Sequence, residues 1–168
     1  MAESTPILPD VLQPGLALVF CGTAPSRRSA AEHAYYAHPG NYFWRTLFAA
    51  GIIPEPLAAA EFRRLPEFGI GLTDLAKHAS GNDDQLPDDA FDAASLHAKI
   101  MRFAPRVVAF TSKNAAQAAL GHAVTYGGQA DRIGTTRTFV LPSPSGQARR
   151  FWDIGPWREL ARLIRAPA

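Results

Sequence analysis

A single cysteine, Cys21, stands among 168 residues, so disulfide frameworks and cysteine-rich metal clusters are excluded at once. It lies inside an apolar run, where a thiol is a small core side chain rather than a nucleophile, and its isolation fits a reducing compartment. The histidines His33, His38, His78, His97 and His122 show no ligand spacing with one another, with Cys21 or with carboxylates; no metal and no cofactor is expected. Apolar runs of membrane-spanning length are absent, and Met1–Pro9 lacks a basic segment followed by a long apolar one. The expectation is a soluble cytoplasmic protein with no membrane partner. Familiar loops are missing too. Neither Gly22-Thr23-Ala24-Pro25-Ser26 nor Gly69-Ile70-Gly71 extends into a dinucleotide fingerprint or a phosphate loop, and neither Ser26 nor Ser145 has the flanking glycines of a hydrolase nucleophile elbow. There is no internal repeat and no low-complexity linker.

What remains is an ordinary globular composition, 47% hydrophobic and 19% charged, enough for one domain over residues 1–168 that buries its own core. The formal net charge of +2 is too small to argue for a polyanionic partner. The placement of arginines says more: Arg27-Arg28 and Arg149-Arg150 each follow a Ser/Pro/Gly loop. Apolar runs alternate with amphipathic stretches, which predicts an α/β three-layer sandwich with a central, mainly parallel four-stranded sheet flanked by helices. The expected strands are Ala17–Cys21, Phe68–Leu72, Arg106–Phe110 and Thr138–Leu141. Helices are expected over Tyr42–Ala50, Leu57–Arg64, Phe91–Phe103, Ala115–Leu120 and Pro156–Ile164, and Ala79–Asp89 reads as a surface loop.

Every strand in that scheme is followed by a small, polar loop: Gly22–Ser29, Thr73–His78, Thr111–Asn114 and Ser143–Arg149. In open parallel sheets ligands bind at the carboxyl edge, so these loops are expected to face one crevice. Between the first loop and the first long helix lies Tyr35-Tyr36-Ala37-His38-Pro39-Gly40-Asn41-Tyr42-Phe43-Trp44. Polar groups set among aromatic faces suit a flat, hydrogen-bonding ring.

Val19-Phe20-Cys21-Gly22-Thr23-Ala24-Pro25-Ser26, Ala37-His38-Pro39-Gly40-Asn41-Tyr42-Phe43-Trp44 and Val140-Leu141-Pro142-Ser143-Pro144-Ser145-Gly146 resemble segments of the mismatch-specific uracil/thymine-DNA glycosylases, within the uracil-DNA glycosylase superfamily. Gly69–Asp74 and Pro105–Phe110 sit where that family has its two middle strands. The resemblance implies a monofunctional hydrolase of DNA repair that flips a damaged nucleotide into a pocket, cleaves the bond from base to deoxyribose without a metal or covalent intermediate, and leaves an abasic site. It makes Gly22, Thr23, Ala24, Ser29 and Tyr36 the base pocket, with Tyr36 stacking on the base and Phe expected to be tolerated there.

Three departures matter. The family's water-holding Asn is replaced by Ala24, which cannot orient a water, so Asn41, Glu32 and Asp74 are the candidate catalytic side chains, Asn41 first because an amide can accept from water and donate to a base. The Tyr-Tyr-Ala-His-Pro-x-Asn-x-Phe-Trp form also resembles the hypoxanthine-excising branch, which likewise lacks that Asn. In the last loop no His precedes Ser143, and Gln147 stands where the mismatch-specific enzymes carry an apolar wedge, which makes single-stranded substrate more plausible. Contacts to DNA are assigned to Arg27, Arg28, Lys113, Asn114, Ser143, Ser145, Gly146, Gln147, Arg149 and Arg150. The expected activity is excision of uracil from DNA. Excision of hypoxanthine or xanthine, and a low-activity binder of uracil-containing or abasic DNA, are the alternatives; monomeric action is the default.

Overall fold

Four parallel strands, three of them buried along their whole length, make up most of the sheet, which is the burial expected of parallel strands covered by helices. The computed structural model describes residues 5–166; the first four residues of the Met1–Pro9 stretch lie outside the described residues. The strands are β1 (Leu18–Gly22), β2 (Ile70–Asp74), β3 (Val107–Phe110), β4 (Gly127–Ile133) and β5 (Thr136–Val140). The helices are α1 (Arg27–Glu32), α2 (Phe43–Ala49), α3 (Ala93–Phe103), α4 (Lys113–Leu120) and α5 (Gly155–Arg165), with 3-10 segments over Ala59–Phe68, Asp83–Gln85 and Gly146–Phe151. Sheet order is β2-β1-β3-β5-β4.

Period-two alternation splits the core into two layers. Leu18 and Phe20 of β1 join Ile70, Leu72, Val107 and Ala109 under α2 and α5, where Trp157 stacks 5.8 Å from Phe20. Val19 and Cys21 face the other way, with Val108 and Phe110, against Leu96 and Ile100 of α3 and the alanines of α4. Cys21 is a buried free thiol that burial, then the nearby Asp74 carboxyl, pushes well above its ordinary pKa, so it is inert packing.

The expected sheet had four strands; the structure has five, and it is mixed. β4 pairs antiparallel with β5 and was invisible because Gly127-Gly128-Gln129-Ala130-Asp131-Arg132-Ile133 has no apolar run and begins on two glycines. As an edge strand it has only its ends buried, and pairing with β5 outweighs its poor strand propensity. The short α1 was also unanticipated, capped by Ser26 Oγ accepting from the Ser29 N–H.

One shifted boundary bears on function. Gly69 sits at φ 77°, closing the preceding 3-10 segment, so β2 starts two residues later than expected and runs through Thr73 and Asp74. That register sets Asp74 beside Gly22 at the shared carboxyl end of β1 and β2.

Candidate active site

The carboxyl ends of β1, β2, β3 and β5 open on one cleft of about 460 Å³. It lies where β1 feeds β2 on one side and borders β3 on the other, the switch point at which open α/β sheets bind ligands. Of the expected base-pocket residues, Gly22, Thr23, Ala24, Ser29 and Tyr36 all line it.

The floor is polar and small. A side chain on Gly22 would lie 3.2 Å from Tyr36 Oη, 3.3 Å from Asp74 Oδ1 and 3.4 Å from Thr111 Oγ1, so three oxygens converge on the one residue without a Cβ. Tyr36 Oη and Thr111 Oγ1 share a hydrogen bond of 3.0 Å. Two hydroxyls with one mutual bond leave a proton to donate, since the further contact from Thr111 to the Cys21 carbonyl is long, at 3.5 Å. Tyr36 therefore brings a hydroxyl to the floor as well as a ring. Its backbone is left-handed, at φ 51°, a costly conformation for an aromatic residue that tends to persist at functional sites. The ring is set by Phe43, stacked at 3.9 Å between centroids.

Asp74 is 5% exposed. Its Oδ2 is buried without a hydrogen-bond partner, because Lys77 Nζ stands off at 3.6 Å, beyond hydrogen-bond reach. Lys77 is held instead by Asp10 at 2.9 Å and by Tyr35 Oη at 3.1 Å. Burial raises the Asp74 pKa to about 6, with Lys77 opposing the rise and Asp10 adding to it. A buried carboxyl oxygen without a partner is destabilising to the fold; the other oxygen, Oδ1, is the one turned to the cleft floor beside Gly22.

Asn41 lines the cleft wall. Its Oδ1 accepts from the Phe43 N–H at 2.9 Å, which fixes the amide and leaves that oxygen a second lone pair for water. Glu32 does not reach the site: its carboxylate pairs with Arg28 at 2.9 Å on the exposed side of α1. Ser29 is 2% exposed, and its hydroxyl accepts from the Ala37 N–H, tying α1 to the segment that carries Tyr36.

The residues assigned to DNA divide. Asn114, Ser143, Ser145 and Gln147 line the cleft, Gly146 sits at its exposed rim, and Arg27 and Arg28 lie exposed on α1. The Ser143 and Ser145 hydroxyls accept from the N–H groups of Ser145 and Gln147 and shape that loop. Lys113 is spread over the Tyr126 ring at 4.5 Å and Arg150 over Phe151 at 5.0 Å, while Arg149 lies over Tyr42 at 5.1 Å.

Two features were not foreseen. Thr111 reads from the sequence as part of a helix cap, although a hydroxyl ending a buried strand is a readable sign. Asp83, in the expected surface loop, clasps the mouth, accepting from Thr23 Oγ1 at 2.7 Å and Asn114 Nδ2 at 2.8 Å; an acid in an acid-rich loop carries no such signal. Among the described residues no cluster of His, Cys, Asp or Glu is arranged to hold a metal, and no helix is long and apolar enough to cross a membrane.

The family model of the uracil DNA glycosylase superfamily matches residues 9–162. The chain belongs to that superfamily. Among solved structures it is similar to a candidate uracil DNA glycosylase from Methanosarcina acetivorans, at 25% identity and a TM-score of 0.65, with 95% of this chain and 97% of that one covered. Membership supports a DNA glycosylase, a hydrolase of DNA repair, and makes DNA the plausible partner of the cleft.

The tightness of this glycosylase floor gives a direct prediction. Gly22→Ala forces three oxygens to retreat by a few tenths of an ångström, so excision by this variant should fall several-fold. The cost in stability, read by urea unfolding, should stay within roughly 1–3 kcal/mol. Parent-like excision would mean that the floor is not where the base rests.

Proposed function

We propose that the protein excises deaminated bases from DNA, uracil first and the deaminated purines hypoxanthine and xanthine by the same floor. The observation that carries this is the Asp74 carboxyl, whose Oδ1 converges on the Gly22 floor with the Tyr36–Thr111 hydroxyl pair. Above its pKa the carboxylate accepts an N–H, and the spare hydroxyl proton goes to a neighbouring carbonyl. An adjacent acceptor and donor complement a lactam edge, O=C–N–H, which uracil, hypoxanthine and xanthine all present. Cytosine and adenine present the reverse, an amino group beside a ring-nitrogen lone pair, and that lone pair would face the carboxylate. Leaving such groups unpaired is the strong form of discrimination. Thymine and guanine carry the lactam edge too; their rejection rests on the cost of opening a matched pair, which a mismatch lowers.

In the reaction, water held by Asn41 attacks C1′ as the bond from C1′ to the base nitrogen breaks, the base departs as its anion and takes a proton, and the sugar keeps the hydroxyl. The floor donors stabilise the departing charge. Tyr36 supplies a ring set by Phe43 and an Oη–H. Tyr36→Ala should therefore weaken binding of lesion DNA by roughly 1–3 kcal/mol. Tyr36→Phe should keep that affinity and lose rate, and equal rates for Phe and Tyr would remove the hydroxyl from the floor.

The test of the function is a set of labelled oligonucleotides carrying uracil, hypoxanthine, xanthine or no lesion, incubated with the protein and then treated with alkali. Breaks are expected at the deaminated bases and not at cytosine or adenine. Tight binding of uracil-containing or abasic DNA without any breaks would favour the binder that Ala24 suggested.

A further inference from the structure

A few arginines of this chain have firm polar partners. Arg64 bonds Glu55, Glu61 and Glu67, Arg28 pairs with Glu32, and Arg106 bonds the carbonyls of Ile164 and Ala166. Arg45 and Arg149 converge on one ring. Among the described residues neither has an acidic partner, yet neither guanidinium hangs free. Arg45 of α2 lies 5.0 Å from the centre of the Tyr42 ring and donates to the Pro39 carbonyl at 3.2 Å. Arg149, more than a hundred residues on, lies 5.1 Å from the same ring and donates to the Gly40 carbonyl at 3.4 Å. Of the ring-cation contacts among the described residues, Tyr42 alone is shared by two arginines.

The ring is itself anchored. The Tyr42 N–H donates to the Pro144 carbonyl at 2.8 Å, and the ring meets Trp152 edge-on at 5.2 Å. This joins α2 to the last loop beside Asn41, Gln147 and Ala148, all of which line the cleft. Two exposed guanidiniums are thus held against one aromatic platform on the cleft rim. Stacking and carbonyl bonds use one face and one N–H of each, and leave the rest of the fork for oxyanions. Two positive charges gathered at one ring attract anions, and a guanidinium fork fits phosphate oxygens.

We propose that Arg45, Tyr42 and Arg149 form a clamp for the DNA backbone, each arginine binding one of two successive phosphates beside the nucleotide that enters the cleft. Arg45 is the new element, since nothing in the sequence marked it. The clamp contacts phosphate alone, so it positions DNA without reading sequence or lesion. It rests on the glycosylase reading of the cleft.

The test uses the full chain and an undamaged duplex oligonucleotide, with binding measured by fluorescence anisotropy across a series of salt concentrations. Removing an arginine that neutralises one phosphate should lower the slope of log K against log salt by about one unit. Arg45→Ala and Arg149→Ala are each expected to do so, the double variant to lower it by about two, and Arg64→Ala to leave it unchanged because its charge is already paired. An unchanged slope for Arg45→Ala overturns the clamp. So does an equal fall in Arg64→Ala, which would reduce the effect to net charge. Slopes that fall in a protein that excises no base keep the clamp and remove the glycosylase reading; unchanged slopes in a protein that does excise remove the clamp and keep that reading.

Discussion

Asn41→Ala should lower the single-turnover rate of base excision by about 10²–10³-fold, on the scale of losing one preorganised polar group at the reacting centre, while affinity for lesion DNA stays nearly intact. The loss belongs to the transition state, because the water bonds to C1′ only as the base departs. Asn41 also accepts from the Phe43 N–H, so removing it costs the start of α2 roughly 1 kcal/mol as well. Asn41→Ser separates the two roles: a serine hydroxyl restores an acceptor for that N–H but falls short of the cleft. Serine that rescues stability and not rate supports the water site. Serine that rescues both leaves Asn41 a residue that only shapes the turn into α2. Glu32→Ala should be silent, since its carboxylate is on the outer side of α1 with Arg28. Ala24→Asn, which restores the residue of the resembling glycosylases, should raise the rate if the loop still has room for a second water ligand.

Asp74 carries the second large effect, and it is dependent on pH. Burial raises its pKa from 3.8 to about 6, so it is mainly a carboxyl at pH 5 and mainly a carboxylate at pH 7.5. The carboxylate accepts the lactam N–H through a charged oxygen, a stronger bond than the neutral carboxyl makes, and the neutral form turns an O–H toward the base as a competing donor. kcat/KM should therefore rise with pH through about 6 and level off above it. Asp74→Asn keeps an oxygen that accepts at every pH, so it should retain activity and lose the acid limb. Asp74→Ala leaves the N–H of the base unpaired and should cost roughly 1–3 kcal/mol, about a 5–150-fold loss. Stability moves the other way. With its pKa raised, the folded state holds the proton more tightly than the unfolded chain between pH 3.8 and about 6. Its contribution is full at low pH and lost as pH rises through about 6. At pH 7.5 Asp74→Asn should then be more stable than the parent by roughly 1–3 kcal/mol in urea unfolding. A variant both less active and less stable would make Asp74 a structural group.

The parallel strands were legible because Val107-Val108-Ala109-Phe110 and its neighbours are apolar on both faces, and the loops that follow them could be placed at one edge by topology alone. β4 was not, because an edge strand draws its stability from pairing, and Gly127 and Gly128 carry no apolar signature. Gly22, Thr23, Ala24, Ser29 and Tyr36 could be assigned to the cleft from a resemblance that covers most of the chain. The partners that give those residues their chemistry could not. Thr111 meets Tyr36 across 75 positions, and Asp83 reaches Thr23 across 60; no local pattern encodes such pairings. Asp74 was named as a water holder, but the two-residue shift in β2 sets it at the floor. Ser29 and Asn41 show the opposite limit: their types suggested site chemistry, and both also hold backbone in place.

One carboxylate reading one lactam edge is the centre of the proposed function, and the most direct measurement is single-turnover release of uracil and of hypoxanthine from otherwise identical strands between pH 5 and pH 8. Both bases should be released, and both rates should rise with the same midpoint near 6, because the same carboxylate accepts an N–H from each. Release of neither base, or release of both with no acid limb, would contradict it.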